Sequence, residues 1–403
     1  MDDVELLVVG CGPAGATAAR EASRRGLRTL VLDKDAIVGQ KRVCAAGLRP
    51  GFCTTFDLPR SLIHCDTPRL ALFDASGDEY AVRFGPGHTS TREELDGTMA
   101  TLARASGAEI RTSALFRSVR FEGDAHIVEY ADLAEGERRK VRAQNVLLVQ
   151  GATARLDDVG EQSPGQFADP RWEAGLMTTL QHRVYLDRPA AAIAYETLEL
   201  HFYPAMDGRM IVAWMFPKRD HLAIGLGVVG KMRGSALRDE LSLFVERTRH
   251  RLYPDAIVTN TKEEGHILYG GWPRERIVDG GLMVGGTAAG LVDATNGEGI
   301  YEAAMSGRIA AECVAIHRND PGQAARSYSA RVHERFYGKL RRRVSLMRFL
   351  EARPQRFTAL FEQFAGSPAF ATALHKERHE RSFSDRALLV SHAVRFLVRA
   401  VAA

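Results

Sequence analysis

The first thirty-three residues constrain the fold of this 403-residue chain more than any other stretch. An apolar run, Val4–Val9, leads into Gly10-Cys11-Gly12-Pro13-Ala14-Gly15, an alanine-rich helical segment follows, and a second apolar run, Leu27–Leu32, ends at Asp33. This is the G-x-G-x-x-G fingerprint with strand, helix, second strand and acid in register. It predicts a dinucleotide site, and the alternative is a glycine-rich turn in an ordinary α/β sheet.

Each residue type in this fingerprint has a physical task. Gly10 allows the tight turn, Gly12 lets the backbone approach a pyrophosphate, and Gly15 lets helix and strand pack closely. The helix that opens at Pro13 and Ala14 points N–H groups and its positive dipole end at the phosphates. Asp33 is placed to accept hydrogen bonds from ribose hydroxyls, and Lys34 beside it is a further cofactor-binding candidate.

Composition and cysteine usage narrow the class of protein. A net charge of +4 is too small to indicate nucleic acid binding. The five cysteines are scattered without C-x-x-C spacing, which argues against a disulfide framework, zinc or an iron–sulfur cluster. We predict no metal site. The acidic start leads straight into a strand, and no apolar run approaches membrane-spanning length, so we expect a cytoplasmic protein.

The rest of the chain alternates between two patterns. Residues 69–84 read as a hairpin, and Thr91 opens a helix to Ser106 with Glu94 completing a capping box. Between about 170 and 275 the alternation predicts an antiparallel sheet, with strands at Ala191–Tyr195, Glu199–Tyr203, Met210–Phe216 and Leu222–Val229. An apolar strand at Gly281–Gly285 and the helix Gly299–Ile316 follow, and the remainder is helical and basic.

This order predicts an α/β fold in which a Rossmann-type FAD-binding domain is interleaved with an antiparallel-sheet substrate domain and followed by a C-terminal helical region. The topology is typical of flavin-binding oxidoreductases with two intertwined domains. The predicted FAD-binding parts are 1–68, 92–160 and 276–318. The substrate domain takes the hairpin 69–91 and residues 161–275, and the helical region is 319–403.

Three stretches together resemble the FAD-dependent geranylgeranyl reductase family, within the wider group of flavin hydroxylase-like proteins. The first is the fingerprint followed by Cys44-Ala45-Ala46-Gly47-Leu48, and the second is Ala213-Trp214-Met215-Phe216-Pro217-Lys218. The third is Gly285-Gly286-Thr287-Ala288-Ala289-Gly290 with Gly297-Glu298-Gly299-Ile300 and Ser306-Gly307-Arg308. The segment after Trp214 is most similar to the chlorophyll and bacteriochlorophyll branch of the family.

The chain departs from the family pattern at two positions. Family members usually carry Asp where this chain has Gly286, and the Asp-Gly expected near Gln150 is missing. Each loss removes a polar contact of about 1 kcal/mol. Thr287 offers a hydroxyl in place of the first acid. These departures make FAD affinity the part of the resemblance that most needs testing.

The resemblance implies roles for particular residues. Gly297, Gly299 and Ile300 open a helix that faces the flavin ring, with Thr287 and Gly290 in the same cofactor motif. Arg92, at i,i+4 from Asp96, reaches the phosphate or adenosine side of FAD, and the alternative is a surface ion pair. Cys44 and Gly47 lie at the substrate end, where Cys44 is the candidate for catalysis and a buried inert thiol is the alternative.

Trp214, Phe216 and Pro217 are predicted to line a channel for an isoprenoid chain. Positions 214 and 216 share one face of a strand, so the alternative is an ordinary core beneath the sheet. Tyr203 and Trp272 are weaker candidates for the same wall.

The last segment, Ala387–Ala403, places Val390, Val394, Leu397 and Val401 on one helical stripe, with His392, Arg395 and Arg399 on the other side. This pattern is typical of a basic amphipathic helix at a membrane surface. The alternative is a helix docked on the protein's own core with a solvated basic face. The first reading predicts peripheral contact with the inner face of the membrane.

The leading functional hypothesis is reduction of isoprenoid C=C bonds of a geranylgeranyl-type group, on a diphosphate, pigment, lipid or quinone. FAD would be loaded by NAD(P)H or a reduced electron carrier. A flavin monooxygenase or halogenase is one alternative, although the Trp-x-Trp-x-Ile-Pro segment of halogenases does not occur in this sequence. A flavin-poor isoprenoid-binding homologue is the other. The sequence does not indicate an oligomeric state.

Overall fold

The computed structural model describes residues 1–40, 44–154, 156, 159, 167–193, 196–205, 207–230, 232–376 and 381–402. Two sheets organise these residues, and each sheet collects strands from separated parts of the chain.

The first sheet has a parallel centre assembled from three stretches of sequence. Its strands run in the order β16-β9-β1-β2-β6, and all neighbours in this order are parallel. The strands are β1 (Asp2–Val9), β2 (Thr29–Leu32), β6 (Glu109–Arg111), β9 (Glu137–Leu148) and β16 (Leu282–Val284). An antiparallel extension adds β7 (Ala114–Glu122) and β8 (Ala125–Asp132) beside β9, and β15 (Val278–Asp279) beside β16.

Helices cover the parallel sheet, which explains why its strands are apolar on both faces. Leu6, Leu7 and Val8 of β1 are fully buried, as expected of a central parallel strand. The helices of this lobe are α1 (Pro13–Arg24), α2 (Phe52–Thr55), α3 (Arg92–Ala105), α6 (Ile300–Ile316) and α7 (Pro321–Val332). Thr91 caps α3 by accepting from the backbone N–H of Glu94, as predicted, but the Glu94 carboxylate lies against His64 instead of completing a capping box.

The second sheet is antiparallel except where β4 and β11 run parallel. Its order is β14-β10-β13-β12-β11-β4-β5-β3. The strands are β3 (Gly47–Leu48), β4 (Cys65–Phe73), β5 (Glu79–Thr89), β10 (Leu176–Leu186), β11 (Thr197–Pro204), β12 (Met210–Pro217), β13 (His221–Val229) and β14 (Val258–Tyr269). The hairpin predicted at 69–84 is therefore the β4–β5 pair.

Two predictions for this lobe were wrong. The strand expected at Ala191–Tyr195 is a helical turn, α4 (Ala190–Ile193), because a run of alanines favours helix; Tyr195 lies outside the described residues. A 19-residue helix, α5 (Gly234–Leu252), stands where only sheet was expected, and it buries Leu237, Leu241 and Phe244 against one face of the sheet.

The C-terminal helices cover the opposite face of the second sheet. They are α8 (Gly338–Glu351), α9 (Gln355–Gly366), α10 (Pro368–His375) and α11 (Phe383–Ala402), and a π-helical turn over His333–Tyr337 precedes α8. Phe202 stacks on Phe357 at 4.9 Å between ring centroids, and Phe361 packs beside both. Within the part of the chain described here, none of the helices has the length and apolar character needed to cross a membrane.

Helix α11 presents its apolar stripe to solvent. Val390 and Val394 are 65% and 57% exposed, and Phe383 and Leu397 are exposed beside them. His392, predicted on the solvated side, is instead buried and stacks on Phe370, because the side that faces the protein carries His392 and Phe396. The helix therefore has one docked face and a separate exposed apolar face.

The predicted fold class is confirmed, since a Rossmann-type sheet, an interleaved and mainly antiparallel sheet and a C-terminal helical region are all present. The residue bounds given above for the domains stay a prediction.

Candidate functional site

The first glycine loop joins β1 to α1 in a conformation that requires its glycines. Gly10 has a φ of +104°, and its N–H donates to the carbonyl of Leu32 on the neighbouring strand at 2.8 Å. A Cβ on Gly15 would lie 1.9 Å from the Gly10 carbonyl oxygen, so the helix can start this close to the strand only without a side chain there. Gly10 and Gly15 thus do what the fingerprint predicts of them.

The N-terminus of α1 remains open on its outer side. Gly12 caps the helix without a side-chain hydrogen bond, and Pro13, Ala14 and Gly15 form its first turn. A Cβ on Gly12 would meet only an Arg92 guanidinium nitrogen at 3.5 Å. Backbone donors, a helix dipole and a guanidinium therefore converge on one place, which is the arrangement that binds phosphate.

Asp33 closes the inner side of this loop. Its carboxylate accepts from the N–H of Cys11 at 2.6 Å and from that of Asp35 at 2.9 Å. The side chain of Lys34 is exposed at the carboxyl end of β2.

Arg92 is held rigidly above the loop. Its Nε and Nη2 donate to the two carboxylate oxygens of Asp96 at 2.9 and 2.6 Å. The side chains of Arg92 and Asp96 are only 16% and 1% exposed, so the surface ion pair considered above is wrong. A buried bidentate pair fixes the orientation of the guanidinium.

The second glycine loop follows β16 and leads to α6. Gly286 has a φ of +56°, and a Cβ there would lie 3.3 Å from the Ala14 Cβ, so the two glycine loops are neighbours. Thr287 is half-buried, and Gly290 adopts a φ of +75° against Pro273. Gly297 has a φ of +72° with open space around its Cα, Gly299 caps α6, and Ile300 begins the helix.

Helices α1 and α6 touch backbone to backbone. A Cβ on Gly307 would lie 2.0 Å from the carbonyl oxygen of Ala14, so only glycine permits this crossing. Ser306 next to it accepts from the N–H of Gly286 at 3.0 Å. The two glycine-opened N-termini are therefore parts of one packed unit.

An arginine that the sequence analysis did not single out links this unit to the Cys44 segment. Arg49 donates to the carboxylates of Glu298 and Glu302, both at 2.6 Å. Glu302 is 1% exposed, and burial together with the neighbouring Glu298 raises the pKa of its carboxyl to about 7. No local signal identifies this cluster, because Arg49 and Glu298 are 249 residues apart.

Cys44 lies half-buried where several donors converge. Its sulfur accepts from the N–H of Ala46 at 3.3 Å, and the Arg92 guanidinium is near enough to interact with it electrostatically. The same guanidinium therefore lies between the glycine loop and the thiol. Lys218 donates to the carbonyl of Ala45, the residue after Cys44. The sequence places Lys218 in the Trp214 motif but gives no sign of this contact.

The predicted channel residues meet the Cys44 segment directly. A Cβ on Gly47 would lie 2.7 Å from the Phe216 ring, and the Pro217 carbonyl accepts from the Thr89 hydroxyl at 2.7 Å. Trp214 lies over Gly225 and donates to Gln181 at 2.9 Å. Trp214 and Phe216 share the face covered by the C-terminal helices, whereas Tyr203 packs on the opposite face near Phe244. Tyr203 therefore does not belong to this wall.

The loop residues fit the pyrophosphate of a dinucleotide on an observation independent of the motif. The Oε1 atom of Gln150, at the carboxyl end of β9, is buried and has no hydrogen-bond partner among the described residues. Gln150 lies beside Gly10, whose Cβ would be 3.4 Å from the Gln150 Cα. A buried amide oxygen without a partner is costly, so a donor from a bound molecule is expected here.

Comparisons with known proteins agree with this geometry. The profile of the NAD(P)-binding Rossmann-like domain family matches residues 8–73. Geranylgeranyl diphosphate reductase of Synechocystis sp. is 26% identical over 332 residues, which cover 79% of this chain and 76% of the relative. Digeranylgeranylglycerophospholipid reductase 1 of Methanopyrus kandleri is 29% identical over 355 residues, which cover 84% and 87%.

Solved structures share the fold along nearly the whole chain. A geranylgeranyl bacteriochlorophyll reductase-like protein from Thermoplasma acidophilum superposes with a TM-score of 0.76 at 21% identity and covers 99% of this chain and 98% of its own. A triple mutant of the flavin-dependent brominase Bmp2 gives a TM-score of 0.66 at 15% identity, covering 96% and 98%. The three motifs that resemble the geranylgeranyl reductases therefore lie at one site, and the relatives that match most of the chain carry that name.

Proposed function

We propose that this protein is a flavin-dependent oxidoreductase that saturates C=C bonds of a geranylgeranyl-type group. One observation carries the proposal: Arg92 links the α1 end to Cys44, Arg49 links the α6 end to the same segment through Glu298, and Gly47 of that segment packs on Phe216 beneath the C-terminal helices. A cofactor site and an apolar site therefore meet at Cys44. The names of the relatives support the same substrate class.

Each loop has a separate part in holding FAD. The N-terminus of α1, from Gly10 to Gly15, and Arg92 would bind the pyrophosphate. Lys34 would lie at the ribose end together with Asp33, whose carboxylate already accepts from the N–H groups of Cys11 and Asp35. Thr287, Gly290 and the Gly297–Ile300 turn would hold the ring end, where the α6 dipole favours negative charge. Reduced flavin, when bound, supplies hydride to the alkene. NAD(P)H or a reduced electron carrier would regenerate it.

The protein must also supply a proton and exclude water. An isolated alkene is a poor hydride acceptor, so a positioned acid assists its reduction. Cys44 is the group we assign to this task, since it interacts with Arg92 of the cofactor loop and its neighbour Ala45 packs against the aromatic cluster. Trp214, Phe216, Pro217 and Gly47 form the wall next to it, and the C-terminal helices keep this face dry.

We further propose that α11 contacts a membrane surface. Its apolar stripe is exposed, while its other face is docked on α9 and α10. Arg395 and Arg399 are exposed on the same helix and suit anionic headgroups. An isoprenoid substrate dissolved in a bilayer would give this contact a purpose.

The decisive experiment is anaerobic incubation of the flavin-loaded, dithionite-reduced protein with geranylgeranyl diphosphate and with prenylated lipids, followed by mass spectrometry. We expect a gain of two hydrogens for each bond reduced, and the oxidised protein serves as the control. Oxygen consumption with insertion of oxygen into the substrate would establish the monooxygenase instead. A purified protein that binds no flavin after reconstitution would leave only the isoprenoid-binding homologue.

A further inference from the structure

Lys218 is buried in a way that a structural lysine rarely is. Its side chain is 1% exposed, although it lies in the tight turn between β12 and β13, next to the exposed side chains of Arg219 and Asp220. Its backbone N–H donates to the carbonyl of His221 at 2.8 Å, which closes the turn. The ammonium group points inward and donates to the carbonyl of Ala45, one residue from Cys44.

The surroundings of Lys218 place it in electrostatic contact with the thiol. The Lys218 charge interacts with Cys44 and with Cys65 on β4. It also interacts with three charged or titratable groups on other elements: Arg183 on β10, Glu93 on α3 and His221 on β13. None of the described carboxylates forms a salt bridge with its ammonium group. Glu93 pairs with Arg183 through Oε1, while its Oε2 is buried without a hydrogen-bond partner among the described residues. The other negative charge near Lys218 is the thiolate that Cys44 would become on giving up its proton.

We propose that Lys218 is the proton reservoir behind Cys44: it returns a proton to the Cys44 sulfur after each alkene reduction. This inference rests on the proposed function. When Cys44 gives its proton to one alkene carbon, the electron pair of the S–H bond stays on sulfur. The Lys218 ammonium then transfers a proton to that sulfur and becomes a neutral amine, and water restores the ammonium. Hydride from the reduced flavin reaches the other carbon and carries both electrons.

The chemistry of Lys218 suits this task. Burial lowers the pKa of its ammonium to about 7, while the Cys44 charge acts in the opposite direction. An amine that titrates near neutral pH can both hold and release a proton under working conditions. Arg92 cannot do so, because a guanidinium does not deprotonate in proteins. Arg92 therefore orients the sulfur, and Lys218 is the nearby described cation able to give up a proton.

The first test needs no substrate. Lysine side chains of the flavin-loaded protein are isotope-labelled, and the titration of Lys218 is followed by NMR in the wild type and in Cys44→Ala. We expect a midpoint near neutral pH that falls when Cys44 is removed. Exposed Lys262 on β14 is the control whose midpoint stays unchanged. The proposal is overturned if the titration midpoint of Lys218 is that of an ordinary lysine, or if it is the same in the wild type and in Cys44→Ala.

The second test separates proton supply from structural support. In Lys218→Met, the first alkene reduction by pre-reduced protein should stay near the wild-type rate, because Cys44 starts with its own proton. Steady-state turnover should fall by about a hundredfold. Lys218→Arg keeps the positive charge and a hydrogen-bond donor for the Ala45 carbonyl, but a guanidinium does not release its proton. Its steady-state turnover should therefore fall as far as that of Lys218→Met.

Two outcomes of the second test overturn the proposal. Full turnover in Lys218→Arg shows that charge alone suffices, and equal slowing of both phases in Lys218→Met shows a structural role. If the wild type reduces no prenyl bond, the proposed function fails, and the NMR titration still decides whether Lys218 and Cys44 exchange charge.

Discussion

Replacing the buried Lys218 by Met should make the protein more stable at mildly acidic pH. The pKa of the Lys218 ammonium is lowered by burial from 10.5 to about 7, and each pKa unit corresponds to about 1.4 kcal/mol. Keeping the ammonium charged in the folded chain therefore costs about 4–5 kcal/mol below pH 7. Methionine removes this cost but leaves the Ala45 carbonyl without its donor, which costs about 1–3 kcal/mol. The expected net gain is about 2 kcal/mol at pH 6.

The sign of this difference should reverse with pH. Between pH 7 and 10.5 the unfolded chain still holds the Lys218 proton that the folded chain has released. The wild type therefore gains stability as pH rises through this window, relative to Lys218→Met. At about pH 10 the remaining charge cost is only about 0.7 kcal/mol, so the lost hydrogen bond dominates and the variant should be the less stable protein by about 1 kcal/mol.

Thermal unfolding of both proteins at matched pH values measures this crossover. Lys262→Met is the control, since that lysine is exposed and paired with Glu264. The pH-dependent difference between wild type and variant isolates Lys218 from the other titrating groups. A Lys218→Met protein that is destabilised equally at both ends of the pH range would show that the ammonium is stabilised where it lies, and the reasoning would be refuted.

Three further predictions concern the cofactor loop, the exposed helix and the buried acid. Gly12→Ala should weaken FAD binding by roughly 10- to 100-fold, because a methyl group displaces one or two charge-assisted backbone contacts. FAD fluorescence titration measures this, and Gly366→Ala at the end of α9, where a methyl group meets open space, should leave the affinity unchanged. Val394→Asp should reduce flotation with anionic liposomes without lowering the melting temperature, since the side chain is exposed; unchanged flotation removes α11 from the membrane proposal. As pH rises from 4.5 to 7, the wild type should lose stability relative to Glu302→Gln, because the raised pKa of Glu302 keeps a proton in the folded chain that the unfolded chain has lost. Melting temperatures of the two proteins that change in parallel across this range would contradict the raised pKa.

The part of the fold that could be predicted is the part set by local pattern. The segment from β1 to β2 combines a glycine fingerprint with a helical period, and Thr91 is an N-cap by residue type and position. Helix α5 was also available to such reasoning, since Leu237, Leu241 and Phe244 follow helical spacing. It was missed because strand alternation on both sides was extended across it.

The part of the site that could not be predicted depends on pairing at long range. Arg49 gains its partners only because α6 returns to β3, and Lys218 meets Ala45 across 173 residues. Similarly, the sequence pattern of α11 predicts an apolar stripe, but the docked face is set by Phe396 packing on Phe349 of α8 and by His392 stacking on Phe370 of α10. Sequence periodicity shows that a helix has an apolar and a polar face, but only the tertiary structure shows which face docks on the protein and which is exposed.

The contact between Gly307 and Ala14 also sets which cofactor lengths suit this protein. Because the two helices meet without an intervening side chain, the span from one glycine-rich opening to the other cannot adjust by sliding. A methyl group at position 307 would lie 2.0 Å from the Ala14 carbonyl oxygen. It would have to push the helices apart by roughly 1.4 Å to reach ordinary van der Waals separation. If FAD binds as proposed, its two halves would reach both openings, whereas a molecule with one nucleotide unit would reach only one; Gly307 would then select by reach as well as by charge.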